Sequence, residues 1–210
     1  MKYTAELACP PVGERISALR EEALAAGIPV ADKETLHFLL TLLSALRPAR
    51  ILEIGTAVGL SAAAMLECCP EAQVTTIESD EDLWRQAKEN LSSLGLSGRA
   101  VCHLGDAGEI LTMMDGPFDF IFLDGPKAQY IHYLFDLKRL LRQGGVLLAD
   151  DVLLYGWVSG ENPTPPKRRS IVGKIREYLD AVTLDPDFVT SVLDVGDGAA
   201  LSVLIHKDER

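Results

Sequence analysis

The sequence is short of positive charge. Lys and Arg number 20 against 31 Asp and Glu, a formal net charge of -11 at neutral pH. That balance opposes broad, non-specific binding to nucleic acid or anionic membrane, which relies on clustered cations. One local basic patch remains: Lys167-Arg168-Arg169, followed by Lys174 and Arg176. No apolar run approaches the roughly 20 residues that a bilayer demands. The start, Met1-Lys2-Tyr3-Thr4-Ala5-Glu6, lacks the apolar stretch of a signal peptide, so a cytoplasmic protein is expected. The four cysteines (Cys9, Cys68, Cys69, Cys102) show no paired metal-ligand spacing, and Cys68 and Cys69, neighbours at the end of an apolar helix, read as buried free thiols. Internal repeats and low-complexity linkers are also lacking. The first Gly-rich turn is neither the dinucleotide Gly-x-Gly-x-x-Gly nor a P-loop, which would need its Lys-Ser/Thr.

What is present is an ordinary globular composition, 48% hydrophobic and 24% charged over 210 residues. One domain spanning 1–210 is expected, with N-terminal helices over 1–47 and a core over 48–210. Helical and strand patterns alternate, which predicts an α/β fold with a mainly parallel sheet. Helices are expected over Glu14 to Ala26, Lys33 to Leu46 (capped by Asp32), Leu60 to Cys69, Glu81 to Leu94, Ala107 to Met114, Lys127 to Leu141 and Lys167 to Ala181. Strands are expected over Arg50 to Ile54, Gln73 to Glu78, Ala100 to Leu104, Phe118 to Leu123 and Val146 to Ala149, the last entered through a Gly144-Gly145 turn. Two further strands, Phe188 to Val195 and Ala199 to His206, flank Gly196-Asp197-Gly198, a hairpin signal. Five βα units therefore end in an antiparallel hairpin, seven strands in all.

The strand ends carry the chemistry. After the first strand, Gly55 and Gly59 let the backbone approach a ligand that a Cβ would obstruct. The helix that follows presents unpaired N–H groups there. Glu53 would meet a pyrophosphate unfavourably and is better matched to a cationic ligand, such as a sulfonium or ammonium centre. Glu78 ends the second strand, where a carboxylate can accept hydrogen bonds from both ribose hydroxyls. Asp106, in Gly105-Asp106-Ala107, follows the third strand, where it or its neighbour can meet an adenine ring. Asp124 ends the fourth strand, and Asp150 and Asp151 end the fifth. Parallel neighbours bring these three carboxylates to one rim. A hard divalent cation relieves their mutual repulsion, and oxygen-only ligation suits Mg²⁺ or Mn²⁺. Lys127, three residues after Asp124, is placed to act as a base.

Ile51-Leu52-Glu53-Ile54-Gly55 resembles the first motif of the class I methyltransferases, with Glu78 as their ribose acid and Gly105-Asp106-Ala107 as their adenine region. The resemblance narrows to the cation-dependent O-methyltransferases of the catechol and caffeoyl-CoA type. Ile51 to Ser61 resembles their Leu-Glu-Ile-Gly-Thr-x-x-Gly-Tyr-Ser, Asp124-Gly125-Pro126-Lys127 their Asp-x-x-Lys, and Asp150-Asp151-Val152-Leu153 their Asp-Asn-Val-Leu. It implies a Rossmann-like seven-stranded fold and S-adenosylmethionine as methyl donor. Val30, Glu53, Gly55, Thr56, Gly59, Ser61, Glu78, Asp106, Ala107 and Asp124 would serve the cofactor. Asp124, Asp150 and Asp151 would hold the metal, and Lys127 with Asp124 would form the catalytic pair. The product would be a methylated oxygen, with a homodimer as the assembly. Three departures stand out: Asp151 replaces the usual Asn, Leu60 the usual Tyr, and Gly125-Pro126 an aromatic pair.

Ile28-Pro29-Val30, Asp124 to Tyr130 and Val195-Gly196-Asp197-Gly198 are similar to a bacterial branch that includes tRNA 5-hydroxyuridine methyltransferases. The basic helix near Lys167 then reads as a phosphate contact beside a flipped base. The alternative acceptor is a small catechol-like phenol, with Tyr155 and Trp157 as an aromatic wall. A third reading is a non-catalytic nucleoside-binding domain, which would not need the acidic rim with its lysine.

Overall fold

The computed structural model describes residues 6–206. The chain divides into two compact units, Met1–Ala107 and Gly108–Arg210. In the first, α1 (Glu14–Ala25) and α2 (Lys33–Leu46) precede β1 (Arg50–Ile54), α3 (Leu60–Cys68), β2 (Gln73–Glu78), α4 (Glu81–Ser93) and β3 (Ala100–Leu104). In the second, α5 (Ala107–Met113) leads into β4 (Phe118–Leu123), α6 (Tyr130–Leu140), β5 (Leu141–Ala149), α7 (Arg169–Leu184), β6 (Phe188–Leu193) and β7 (Ala199–Leu204). The strands form one seven-stranded sheet in the order β3-β2-β1-β4-β5-β7-β6. β1, β2 and β3 pair in parallel, as do β4 and β5. β7 runs antiparallel to both β5 and β6. The Rossmann-like expectation, with its terminal hairpin, matches this order. Among the described residues no helix is long and apolar enough to cross a membrane.

Local chemistry explains the first unit. The Asp32 carboxylate accepts from the Thr35 N–H at 2.7 Å, satisfying an orphan donor at the start of α2. Leu36, Leu39, Leu40 and Leu43 repeat with helical period and are fully buried. α3 has no polar face: Leu60 through Leu66 are all buried, as befits a helix enclosed by its neighbours. Its last carbonyls are met by Arg99, whose guanidinium donates to Leu66, Cys69 and Ala72 oxygens at 2.9–3.2 Å. A cationic donor suits the negative end of a helix. All four cysteines are free. Cys69 is buried as expected, and burial beside Cys68 pushes its thiol up to about 11; Cys68 is only half-buried, at the last residue of α3.

The second unit departs from expectation in three places. β5 starts at Leu141, not at Val146, and Gly144-Gly145 lies within it as a bulge. Phe118 pairs with Leu141, but Phe120 already pairs with Val146. Glycine permits this: Gly144 has φ +73°, and a Cβ on Gly145 would sit 2.8 Å from the Arg142 carbonyl. Lys127–Gln129 forms a 3₁₀ turn before α6 rather than its first turn, because Pro126 is extended at ψ 110°. Pro166–Arg168 likewise forms a separate turn before α7, which runs on to Leu184.

Replacing Arg99 by Met removes three donors from the end of α3 while keeping the apolar stem. We expect the loss of roughly 2–3 kcal/mol of stability, measured by denaturant melts.

Candidate active site

In the first unit the site begins at the turn after β1. The chain reverses through Gly55 (φ +99°), Ala57 (φ +46°) and Gly59 (φ +81°), and Gly59 caps α3. A Cβ on Gly59 would lie 3.4 Å from the Ala87 backbone, so the turn sits close against α4. Glu53 is fully buried. One carboxylate oxygen accepts from the Ser61 hydroxyl, the other from Thr76 Oγ1 at 2.6 Å. Thr76 in turn meets Thr56 Oγ1 at 2.6 Å. Charge had suggested that Glu53 faces a cationic ligand. In the structure it ties the start of α3 and β2 to β1 through hydroxyls, and so holds the turn's shape.

Glu78 is half-buried at the end of β2 and aimed at the same turn. Its carboxylate accepts from Ala57 N at 2.9 Å and from Ser79 and Asp80 N–H groups at 2.8 and 2.9 Å. Asp106 and Ala107 follow β3, where Gly105 N donates to the Glu78 carbonyl at 2.8 Å. The structure thus brings Glu53, Gly55, Thr56, Gly59, Ser61 and Glu78 into one linked constellation, with Asp106 and Ala107 joined through Gly105. Val30 lies half-buried in the extended link between α1 and α2.

The second unit holds the acidic rim. Oxygens of Asp124, Asp150 and Asp151 lie within 4.8 Å of one another. Asp150 is only 2% exposed. Burial first, then the neighbouring Asp124 and Asp151, pushes its carboxyl up to about 8. Lys127 Nζ sits between two of the acids, 2.7 Å from Asp124 Oδ1 and 3.0 Å from Asp151 Oδ2. Burial alone would lower its amine. Tyr130, Asp124 and Asp151 outweigh burial and raise it, so the lysine is a cation here. Three converging carboxylates, one of them buried, fit a hard divalent cation by charge and by donor type.

Two supports for this rim were not foreseen. The Tyr130 hydroxyl, fully buried, donates to the carbonyls of Leu123 and Asp150 at 2.9 and 3.2 Å, joining the ends of β4 and β5 beneath the acids. Its place six residues after Asp124 was visible, but the partner across 20 residues was not. The second support is the hairpin turn around Asp197. Asp151 (φ +56°), Leu154 (φ +43°) and Tyr155 (φ +56°) are left-handed. Asp and Asn tolerate that region, so Asp151 keeps the backbone an Asn would adopt. Leu and Tyr lack that excuse and cost roughly 1–2 kcal/mol each. Tyr155 and Trp157 rings lie 5.0 Å apart, and Tyr155 is 66% exposed.

The model of the O-methyltransferase family matches residues 15–205. A caffeoyl-CoA O-methyltransferase from Populus kitakamiensis is 29% identical over 92% of this chain and 88% of its own. A catechol O-methyltransferase from Mycobacterium tuberculosis is 31% identical over 68% of this chain and 70% of its own. The crystal structure of the O-methyltransferase TomG from Streptomyces achromogenes, in complex with S-adenosylmethionine, superposes with a TM-score of 0.81. It is 25% identical and covers 93% of this chain and 91% of that one. The match runs through nearly the whole length: the chain belongs to the O-methyltransferase family, as a class I, S-adenosylmethionine-dependent enzyme of the catechol and caffeoyl-CoA type.

Proposed function

We propose that this enzyme, working as one domain, transfers a methyl group to one of two neighbouring oxygens on a small aromatic acceptor, with Mg²⁺ or Mn²⁺ held by Asp124, Asp150 and Asp151. The observation that carries this reading is Lys127 lodged between two of three converging acids. A cation held there would supply positive charge that lowers the pKa of the reacting hydroxyl. Lys127 is the base. Asp124 and Asp151, which keep it protonated, are the same acids that would ligate the cation, so ligation would weaken their hold on the proton and leave burial to favour the free amine. Lys127 Nζ takes the hydroxyl proton and the oxygen attacks the sulfonium methyl, leaving a thioether. The turn from Gly55 to Gly59 and the Glu78 carboxylate bind the donor and fix its direction, so alignment contributes much of the rate. Val30, Asp106 and Ala107 complete the donor's surroundings on the strength of the resemblance. The free thiols suit the reducing cytoplasm, and a homodimer is the assembly we propose.

A second acceptor, 5-hydroxyuridine in tRNA, is favoured by one observation. Lys167, Arg168 and Arg169 are exposed at the start of α7, the positive end of the helix. Cations there oppose the dipole, and backbone phosphates would relieve them. The patch is narrower than the sequence indicated. Lys174 pairs with Glu177 at 2.7 Å, and Arg176 donates to the Val158 carbonyl.

Asp150→Ala should lose metal-dependent methyl transfer by about a thousand-fold or more, as expected when positioning and charge stabilisation fail together. Calorimetry should find its S-adenosylmethionine affinity unchanged; full activity in this variant would refute the metal assignment.

Asp150 also makes stability depend on pH. Its folded pKa of about 8 exceeds its ordinary 3.8, so the folded chain holds the proton more tightly. That stabilisation is complete below the ordinary value and disappears as pH rises toward 8. In chelator, the melting temperature should fall across this window in the wild type and stay flatter in Asp150→Asn. Added Mg²⁺ should restore only the wild type.

The acceptors separate by mass spectrometry, each methyl adding about 14 Da, one CH₂ in composition. Methylation of free catechol but not of hydroxyuridine-containing tRNA is the expected result. The reverse would establish the RNA reading.

A further inference from the structure

The loop that follows the acidic pair cannot hold its shape alone. Asp151, Leu154, Tyr155 and Gly156 all have left-handed backbones, and two of these are residues that avoid that region. Such a segment persists only where its surroundings over-determine it. Here the surroundings are the turn between β6 and β7. Val152 N donates to the Gly198 carbonyl at 2.9 Å, and Leu153 N to the Asp197 carbonyl at 3.0 Å. Tyr155 N donates to the Asp197 carboxylate at 2.5 Å. Asp197 therefore grips the loop twice, once by its backbone and once by its side chain. Gly198 makes the approach possible: at φ +95° its missing Cβ would lie 2.7 Å from Leu153 N.

What the loop carries gives this grip a consequence. At its start is Asp151, one of the three converging acids and a partner of Lys127. At its end is the Tyr155–Trp157 pair, two rings 5.0 Å apart. Asn162 closes the far side, its amide donating to the Tyr155 carbonyl at 2.7 Å.

We infer that Asp197 is a positioning residue of the acceptor site: gripping Tyr155 and Leu153, it sets both the Asp151 carboxylate and the aromatic pair against which an acceptor ring lies. This rests on the cation and acceptor reading given above. Asp197 touches neither acceptor nor donor in this role. It acts through the loop, so its removal should disturb acceptor and metal while leaving the donor alone.

The test places Asp197→Ala and Asp197→Asn in a Trp84→Phe background, which leaves Trp157 as the sole tryptophan of the two in the chain. Asparagine keeps an oxygen for the Tyr155 N–H, alanine does not. For Asp197→Ala we expect Tyr155 amide exchange to quicken by about ten-fold or more and Trp157 emission to shift. Its Mn²⁺ dissociation constant, measured with the metal alone, should rise by roughly ten-fold. The KM for catechol should rise similarly, with a smaller change in kcat and an unchanged S-adenosylmethionine affinity. Asp197→Asn should stay within about two-fold of wild type on every readout. If Asp197→Ala fails to fold, Asp197→Glu, one methylene longer with the charge kept, should shift the same readouts in the same direction. An alanine variant that merely melts earlier, with wild-type Mn²⁺ affinity, Tyr155 exchange and KM, overturns the positioning role. A wild-type protein that binds no Mn²⁺ and methylates no catechol overturns the reading of the site and Asp197's role within it.

Discussion

A carboxylate removed from water must be compensated where it lies. Among the described residues two are buried, one in each compact unit, and their surroundings differ. Glu53 is fully enclosed and receives hydroxyl donors from Ser61 and Thr76 on the two elements that flank β1. Those hydroxyl partners make it a structural tie. Asp150 is almost as deeply placed, but its immediate neighbours are two further acids. The Asp151 N–H donates to it at 2.8 Å, and Lys127 pairs with the other two acids. The first arrangement is self-sufficient. The second gathers three carboxylates whose oxygens lie within 4.8 Å of one another, a donor set that fits a hard cation.

The same contrast appears in the backbone. The turn that Glu53 steadies is left-handed at Gly55, Ala57 and Gly59, two glycines flanking one small residue. Only Ala57 carries the left-handed cost there, and Gly59 also lets the turn lie close to α4. Around the acids, left-handed residues include Leu154 and Tyr155, so strain is present and must be opposed by contacts from elsewhere. Tyr130 opposes movement from beneath, bonding to Leu123 and Asp150 carbonyls. Asp197 and Gly198 oppose it from the hairpin turn. A rim assembled from several strand ends is thereby kept to one geometry, as positioning catalysis requires.

Much of this was legible before any coordinates. Element types followed from the period of apolar residues, the Asp32 cap and the glycine stops, because those causes act within a few residues. The acids and glycines at strand ends were legible for a related reason: a parallel sheet gathers its strand ends on one rim, so position along the chain already implies proximity. What stayed hidden depends on long-range partners. The bulge in β5 is set by its register against Phe118 and Phe120. Glu53 has a negative charge that suggests a cationic ligand, and only its hydroxyl partners on α3 and β2 reveal a tie. Asp197 lies 42 residues from Tyr155 and reads as an ordinary turn residue until the contact is seen. The basic cluster near Lys167 looked broader in sequence because two of its members have partners of their own.

Asp151 shows how one departure from the family pattern changes the chemistry without changing the shape. The position is left-handed, which Asp and Asn both accept, so the backbone is indifferent to the choice. The charge is not. An asparagine would offer Lys127 a neutral oxygen, whereas Asp151 forms an ion pair with it at 3.0 Å, opposite the 2.7 Å pair with Asp124. Lys127 is therefore held by two anions instead of one, and its proton is correspondingly harder to lose while both are uncompensated. In the reading proposed above, the acids that would bind the metal are the same ones that keep Lys127 charged, so the second anion would couple proton release to metal binding more tightly than an asparagine would.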